Sequence, residues 1–184
     1  MEPPDGRLFF QGRWQEGSGT REVRNPYDGS VVGTVRTVGP DAVAAAVEFL
    51  ARGRRTLPAH ARAEILRRAA DRIRDEATSL AEGITAEAGI PVRTARHETE
   101  RAFRAVAEAA EEAKRIHGET IPADTVPEGE GRTAVCLYQP VGVVAAVTPF
   151  NHPLNQVAHK AAPAIAAGNA VLLKPSEKTP LTAL

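Results

Sequence analysis

VGVVAAVTPFNHPLNQVAHKAAPAIAAGNAVLLKPSEKTPLTAL, residues 141–184, decides the fold class of this chain. VGVVAAVTPF is a continuous apolar run, the pattern of a strand buried on both faces of a parallel sheet. Pro153 and Gly168 bracket an alanine-rich helix over residues 153–167, because proline needs no amide donor in a first turn and glycine readily closes a last one. AVLLKPS reads as a second buried strand, and TPLTAL opens a further helix. This β-α-β order predicts an α/β protein with a doubly wound parallel sheet. In such sheets ligands bind beyond the carboxyl ends of the strands. Those ends are Thr148-Pro149-Phe150-Asn151-His152-Pro153 and Lys174-Pro175-Ser176-Glu177. They are expected to open side by side on one edge, bringing together an amide, an imidazole, an ammonium and a carboxylate.

Upstream, TAVCLYQ reads as a strand broken at Pro140, and ETIPADTVPEGEGR before it as a Pro/Gly/acidic connection. After Pro91 a helix of about 25 residues is expected from the spacing of Val92, Ala95, Ala102, Phe103, Val106, Ala109, Ala110, Ala113 and Ile116. Its other face carries Arg96, Glu98, Glu100, Arg101, Arg104, Glu108 and Glu111 and reads as solvated. A helix after Pro58 has Ile65, Leu66, Ala69, Ala70 and Ile73 as its stripe and is expected to continue through Leu80 and Ile84 to Gly89. Pro40 and Asp41 suit the first turn of an earlier helix, DAVAAAVEFLARGRR, with Val43, Val47 and Leu50 on one side. Residues 21–25 and 31–35 read as strands around the turn NPYDGS, and GRWQEGSG as a solvent loop. The expected organisation is strands and loops over 1–38, helices plus a linker over 39–133, a bridging strand over 134–140, and the first β-α-β of a sheet over 141–184.

Composition narrows the function classes. The 184 residues carry 23 basic and 23 acidic side chains, a balance that offers no reason to expect nucleic acid or an acidic membrane surface as partner. No apolar stretch reaches the ~18 residues of a membrane span. MEPPDGRLFF is neither a signal peptide nor a basic transit sequence, so the cytoplasm is the expected compartment. The single cysteine, Cys136, excludes an internal disulfide. Its apolar neighbours suggest a buried structural thiol. His60, His97, His117 and His159 show no metal spacing, so no metal is expected.

At the strand ends the sequence resembles a known family. TPFNHP, the later GN pair and KPSE resemble the aldehyde dehydrogenase superfamily, whose members carry a P-[FW]-N-x-P turn followed by GN and KPSE-like residues. NPYDG, HGETIP and QPVGVV fit the same pattern upstream, so the resemblance covers nearly the whole chain. No GxGxxG occurs, and the family binds its dinucleotide without one. The resemblance implies the N-terminal half of that fold, with long helices packed on an incomplete Rossmann-like parallel sheet. The N-terminal strands and the hairpin near Gln139 would join an oligomerisation element, giving a homo-oligomer at full length. It also implies NAD as cofactor, with NADP as the alternative. Asn151 matches the asparagine whose amide helps hold the thiohemiacetal oxyanion, a donor worth about 3 kcal/mol in comparable acyl chemistry. Outside the family pattern it reads as a turn residue capping the next helix. Lys174 and Glu177, with Ser176 beside them, match the partners of the adenosine ribose. A carboxylate there accepts from free 2′- and 3′-hydroxyls and repels a 2′-phosphate, which tilts the cofactor toward NAD. Val147, Thr148, Pro149 and Phe150 match the lining of the cofactor cleft.

His152 stands where many relatives carry an aromatic residue. FNHPLNQVAHK is closest in wording to phosphonate-aldehyde dehydrogenases of the phosphonoacetaldehyde type. That likeness implies that His152 and Arg101, in RHETERAFR, bind an anionic head group, guanidinium offering a bidentate fork and imidazole a further donor. The family reaction oxidises a small aldehyde to a carboxylate through a cysteine nucleophile and a water-activating glutamate. Neither is matched here, so residues 1–184 alone are expected to be inactive. With apolar helix faces uncovered, they are also expected to be unstable, to aggregate or to pair. Two alternatives stand: a non-catalytic piece docking on a full-length subunit, and an acyl-group reductase of the same superfamily.

Overall fold

The computed structural model describes residues 6–52 and 57–184. Residues 53–56, which close the first expected helix, and the opening MEPPD lie outside the described residues. Two hairpins lead the chain. The first pairs β1 (Leu8–Phe10) with β2 (Arg13–Gln15), where the sequence had suggested a solvent loop. Its turn places both Gln11 and Gly12 at positive φ, 55° and 78°, the backbone that matches strand twist in a two-residue hairpin. The second pairs β3 (Gly19–Arg24) with β4 (Val31–Thr37) around NPYDGS. Asn25 Oδ1 accepts from the Tyr27 amide and Asp28 Oδ1 from the Ser30 amide, each at 2.9 Å, the local bonding that makes these residue types turn formers.

Helix α1 (Pro40–Arg52) starts on its proline and packs on the later strands β7 (Val143–Val147) and β8 (Ala170–Lys174). It buries Ala46, while Val43 and Val47 stay 41% exposed, because these two strands alone offer it little surface to cover. The expected helix after Pro58 is two helices, α2 (Ala59–Asp75) and α3 (Ala77–Ala88), broken at Glu76. Ser79 donates its hydroxyl to the Glu76 carbonyl at 2.9 Å, side-chain bonding of the kind that competes with helix continuation. Ile65 and Ala69 are exposed, so the buried stripe of α2 narrows to Ala63, Leu66 and Ala70. Gly89 closes α3 in the left-handed conformation.

Helix α4 (Val92–Glu112) is the centre of the molecule and packs against α2, α3 and α5 (Pro153–Ala166). Ala95, Ala102, Ala109 and Ala110 let these backbones approach, and with Leu66, Ile84, Val106, Leu154 and Ala158 they form one core cluster. Tight turns after α4, Lys114 amide to Glu111 carbonyl and Arg115 amide to Glu112 carbonyl, end it early. Ile116 therefore lies beyond the helix and is exposed.

The acidic connection is only partly irregular. Its start, β5 (Glu119–Pro122), pairs antiparallel with β6 (Thr133–Cys136). A Cβ on Gly118 would sit 2.0 Å from the Cys136 carbonyl oxygen, so this approach requires glycine. Cys136 is half-buried, less covered than its apolar neighbours suggested. Strands β7 and β8 pair in parallel from Val143↔Ala170 to Val147↔Lys174. Both read from the sequence as buried strands, the first on both faces, and β8 has no fully buried residue. Only Ala146 is fully buried, while Ala145 and Val147 are exposed, since within this chain the sheet has two strands. No described helix is long and apolar enough to cross a membrane.

Candidate active site at two strand ends

Parallel pairing brings the ends of β7 and β8 to one edge. The Thr148 amide donates to the Lys174 carbonyl at 3.2 Å, extending the ladder by one bond. Beyond it the two loops are tied directly, for the buried Thr179 hydroxyl donates to the Phe150 carbonyl at 3.2 Å. Lys178 Nζ lies 4.7 Å from the centre of the Phe150 ring, within cation–π range. Phe150 is half exposed, Asn151 exposed and Thr148 buried.

On the second loop, the exposed Lys174 and Glu177 face each other, Nζ to Oε2 at 3.3 Å. The amide of Glu177 itself, and then Lys174, hold the Glu177 carboxyl below its usual pKa. It is thus an anionic acceptor at neutral pH. Ser176 is buried and its hydroxyl accepts from the Lys178 amide at 3.2 Å, a turn bond that keeps the loop's shape. Val147 and Pro149 are exposed beside the same edge.

The sequence reading missed two buried carboxylates. Glu98, assigned to the solvated face of α4, has a side chain only 1% exposed. Its Oε1 accepts from the Leu154 and Asn155 amides and its Oε2 lies against His152 Nδ1, all at 3.1 Å. Glu98 thus caps α5 from another helix, a task that the helix's own N-cap, His152, does not perform. Arg101 is exposed one turn further along α4. Glu87 of α3 accepts from the Leu181 amide at 2.8 Å and the Thr182 amide at 3.0 Å, and from the Thr182 hydroxyl. It holds the 3-10 turn Leu181–Ala183, which stands where TPLTAL was expected to open a helix. Burial pushes the Glu87 carboxyl up, against the opposing effect of those donors. No sequence signal marks either residue, since each looks like one more charge on a helix.

A cavity of about 400 Å³ bounded by Arg115, Ile116, His117, Gly118, Glu119 and Tyr138 shares no residue with these loops. Among the described residues, no group of three or more His, Cys, Asp or Glu is placed to hold a metal ion.

Residues 14–184 match the model of the aldehyde dehydrogenase family. The chain belongs to that family. As an aldehyde dehydrogenase family member it is 42% identical over 181 residues to 3-sulfolactaldehyde dehydrogenase of Priestia aryabhattai, covering 96% of this chain and 37% of the relative. It is 46% identical over 166 residues to aspartate-semialdehyde dehydrogenase 1 of Pseudomonas canavaninivorans, covering 89% and 35%. Among solved structures, the NADP-dependent glyceraldehyde-3-phosphate dehydrogenase of Bacillus halodurans, complexed with NADP, superposes with a TM-score of 0.92 at 28% identity, over 97% of this chain and 39% of that one. The α/β architecture is thus that of an aldehyde dehydrogenase N-terminal portion. The chain spans little more than a third of the length of these relatives.

Proposed function

We propose that this chain is the N-terminal part of an NAD(P)-dependent dehydrogenase that oxidises an anionic aldehyde to its carboxylate. The observation carrying the proposal is the junction of the Asn151 turn and the Lys174–Glu177 loop on one sheet edge, tied by the bonds of Thr148 and Thr179. In this reading Asn151 donates its side-chain amide to the oxyanion formed when a thiolate adds to the aldehyde. Lys174 and Glu177 hold the adenosine ribose, Ser176 keeps their loop in shape, and Val147, Thr148, Pro149 and Phe150 line the cleft. The exposed, adjacent ammonium and carboxylate fit a diol, one donating and the other accepting. The bound nicotinamide supplies the hydride acceptor. Cys136 lies on β6 and in neither loop, so it is not assigned the nucleophile's role.

An anionic substrate is favoured by the relatives as well as by His152 and Arg101. Their names specify aldehydes bearing a sulfonate, a carboxylate or a phosphate. Residues 1–38 are assigned to an oligomerisation element that the hairpin near Gln139 joins, 39–133 to the helical part of the cofactor domain plus a linker, 134–140 to a bridging strand and 141–184 to the start of its sheet. The enzyme is assigned to the cytoplasm as a homo-oligomer.

The test compares phosphonoacetaldehyde and 3-sulfolactaldehyde with propionaldehyde on the full-length enzyme, wild type and Arg101→Ala. The expected outcome is a higher kcat/KM for the anionic aldehydes, lost selectively in the variant by about tenfold or more, since hydrogen bonds to charged groups contribute about 1.5–3 kcal/mol. Equal specificity constants for all three would refute the anionic reading.

A further inference from the structure

We infer that Glu98 is a positioning residue for the substrate site: its carboxylate takes the Nδ1–H of His152, which turns the Nε2 edge outward and leaves Nε2 to carry the second proton that bonds an anionic aldehyde. The inference rests on the anionic-substrate reading only for what lies beyond Nε2; the arrangement of Glu98 and His152 stands on its own geometry. Glu98 is buried on α4, and each of its oxygens has a separate task. Oε1 takes two backbone amides, those of Leu154 and Asn155 at 3.1 Å, at the positive end of α5. Pro153 begins this helix and has no amide to donate, so these two are its first free N–H groups. A carboxylate oxygen accepts from both amides and donates to neither.

The remaining oxygen, Oε2, lies 3.1 Å from His152 Nδ1. An ionised carboxylate can bond that nitrogen only if the nitrogen carries a proton. The tautomer is therefore set by Glu98, in the way a carboxylate behind a ligating histidine sets the ring's outward face. The imidazole is about one-third exposed, so the ring is reachable from outside while its Nδ1 is occupied. When the ring is doubly protonated, Nε2–H is a charge-assisted donor for a phosphonate, sulfonate or carboxylate oxygen. The same carboxylate links α4, which carries Arg101 one turn on, to the turn that carries Asn151. Both candidate anion-binding groups are thus referenced to one buried side chain.

Glu98→Gln separates the cap from the tautomer. Its amide oxygen can still accept from Leu154 and Asn155, while its NH2 faces Nδ1, donor against donor if that nitrogen is protonated. The ring should then turn to the neutral Nε2–H form, and the anion loses a charged donor. In the full-length enzyme labelled with 15N-histidine, solid-state NMR should show His152 protonated at Nδ1 in the wild type and at Nε2 alone in Glu98→Gln. KM for phosphonoacetaldehyde should rise about tenfold, as for loss of a comparable outer partner, with a smaller effect on kcat. In a His152→Ala background the same Glu98→Gln change should leave KM within about twofold, because its route to the substrate is gone. An unprotonated Nδ1 in the wild type, an unchanged tautomer in Glu98→Gln, or an equal KM rise without His152 would each overturn the inference. Failure of the anionic reading shows separately, as a wild type that does not favour anionic aldehydes whatever the tautomer.

Discussion

Thr148 and Lys174 are 26 residues apart in sequence, yet the amide of one donates to the carbonyl of the other at 3.2 Å. This bond places the end of β7 beside the end of β8. A parallel pair connected by a helix must put both carboxyl ends on the same edge, so every group in the two following loops is delivered to a common region. Asn151 and His152 on one loop share an edge with Lys174 and Glu177 on the other because of that rule, while the Lys174–Glu177 ion pair lies within the second loop.

The Lys174–Glu177 pair is exposed on both sides, so its contribution to stability is small. Glu177→Gln is expected to leave the unfolding free energy within about 0.5 kcal/mol of wild type. In the full-length enzyme the same change should lower kcat/KM for NAD about tenfold, since a charged hydrogen bond to the ribose is worth about 1.5–3 kcal/mol, and should spare or improve NADP use. Steady-state kinetics with both cofactors, beside a denaturant melt, checks the split.

Glu87 carries the opposite kind of charge. Burial raises its carboxyl above the ordinary glutamate range, so the folded protein holds this proton more tightly than the unfolded chain does. Its contribution to stability is therefore most favourable below the unfolded pKa and is lost as pH rises through the folded one. Glu87→Gln cannot ionise and should lack that loss. Urea unfolding of both proteins from about pH 4.5 upward should show the variant gaining relative to wild type, by at most about 1.4 kcal/mol per pH unit within the window. A constant difference across the range would contradict the raised pKa.

Gly89 ends α3 at φ 69°, and a Cβ there would lie 2.5 Å from Pro26 Cγ. Gly89→Ala combines left-handed strain with a clash against the β3–β4 turn. A loss of about 1–2 kcal/mol is expected, read as a lower midpoint in a thermal or urea melt. Gly29→Ala, also at positive φ but with open space around it, should lose less, which separates the clash from the strain.

Much of the framework is legible residue by residue. Pro153 and Gly168 bracket α5, Pro91 precedes α4, and the turn-forming Asn25 and Asp28 sit where β3 gives way to β4. Other features are not. Gln11 adopts a positive φ with no residue-type signal, so the first hairpin reads as loop. Glu119–Pro122 becomes a strand because the 133–136 segment lies alongside it, and Glu76 interrupts the helix with neither proline nor glycine beside it.

The closing β-α-β order, its parallel crossover and the identity of the groups at the two strand ends follow from local pattern alone, because periodicity, caps and turn residues act within a few positions. Which glutamates on the long helices are buried does not. The amides that satisfy Glu98 and Glu87 come from segments up to 57 and 95 residues away. A carboxylate tolerates burial only where such donors arrive. Packing of α4 on α5 and of α3 on the 181–183 turn decides that, and it is packing that moves Glu98 from an apparent surface charge to the side chain behind His152.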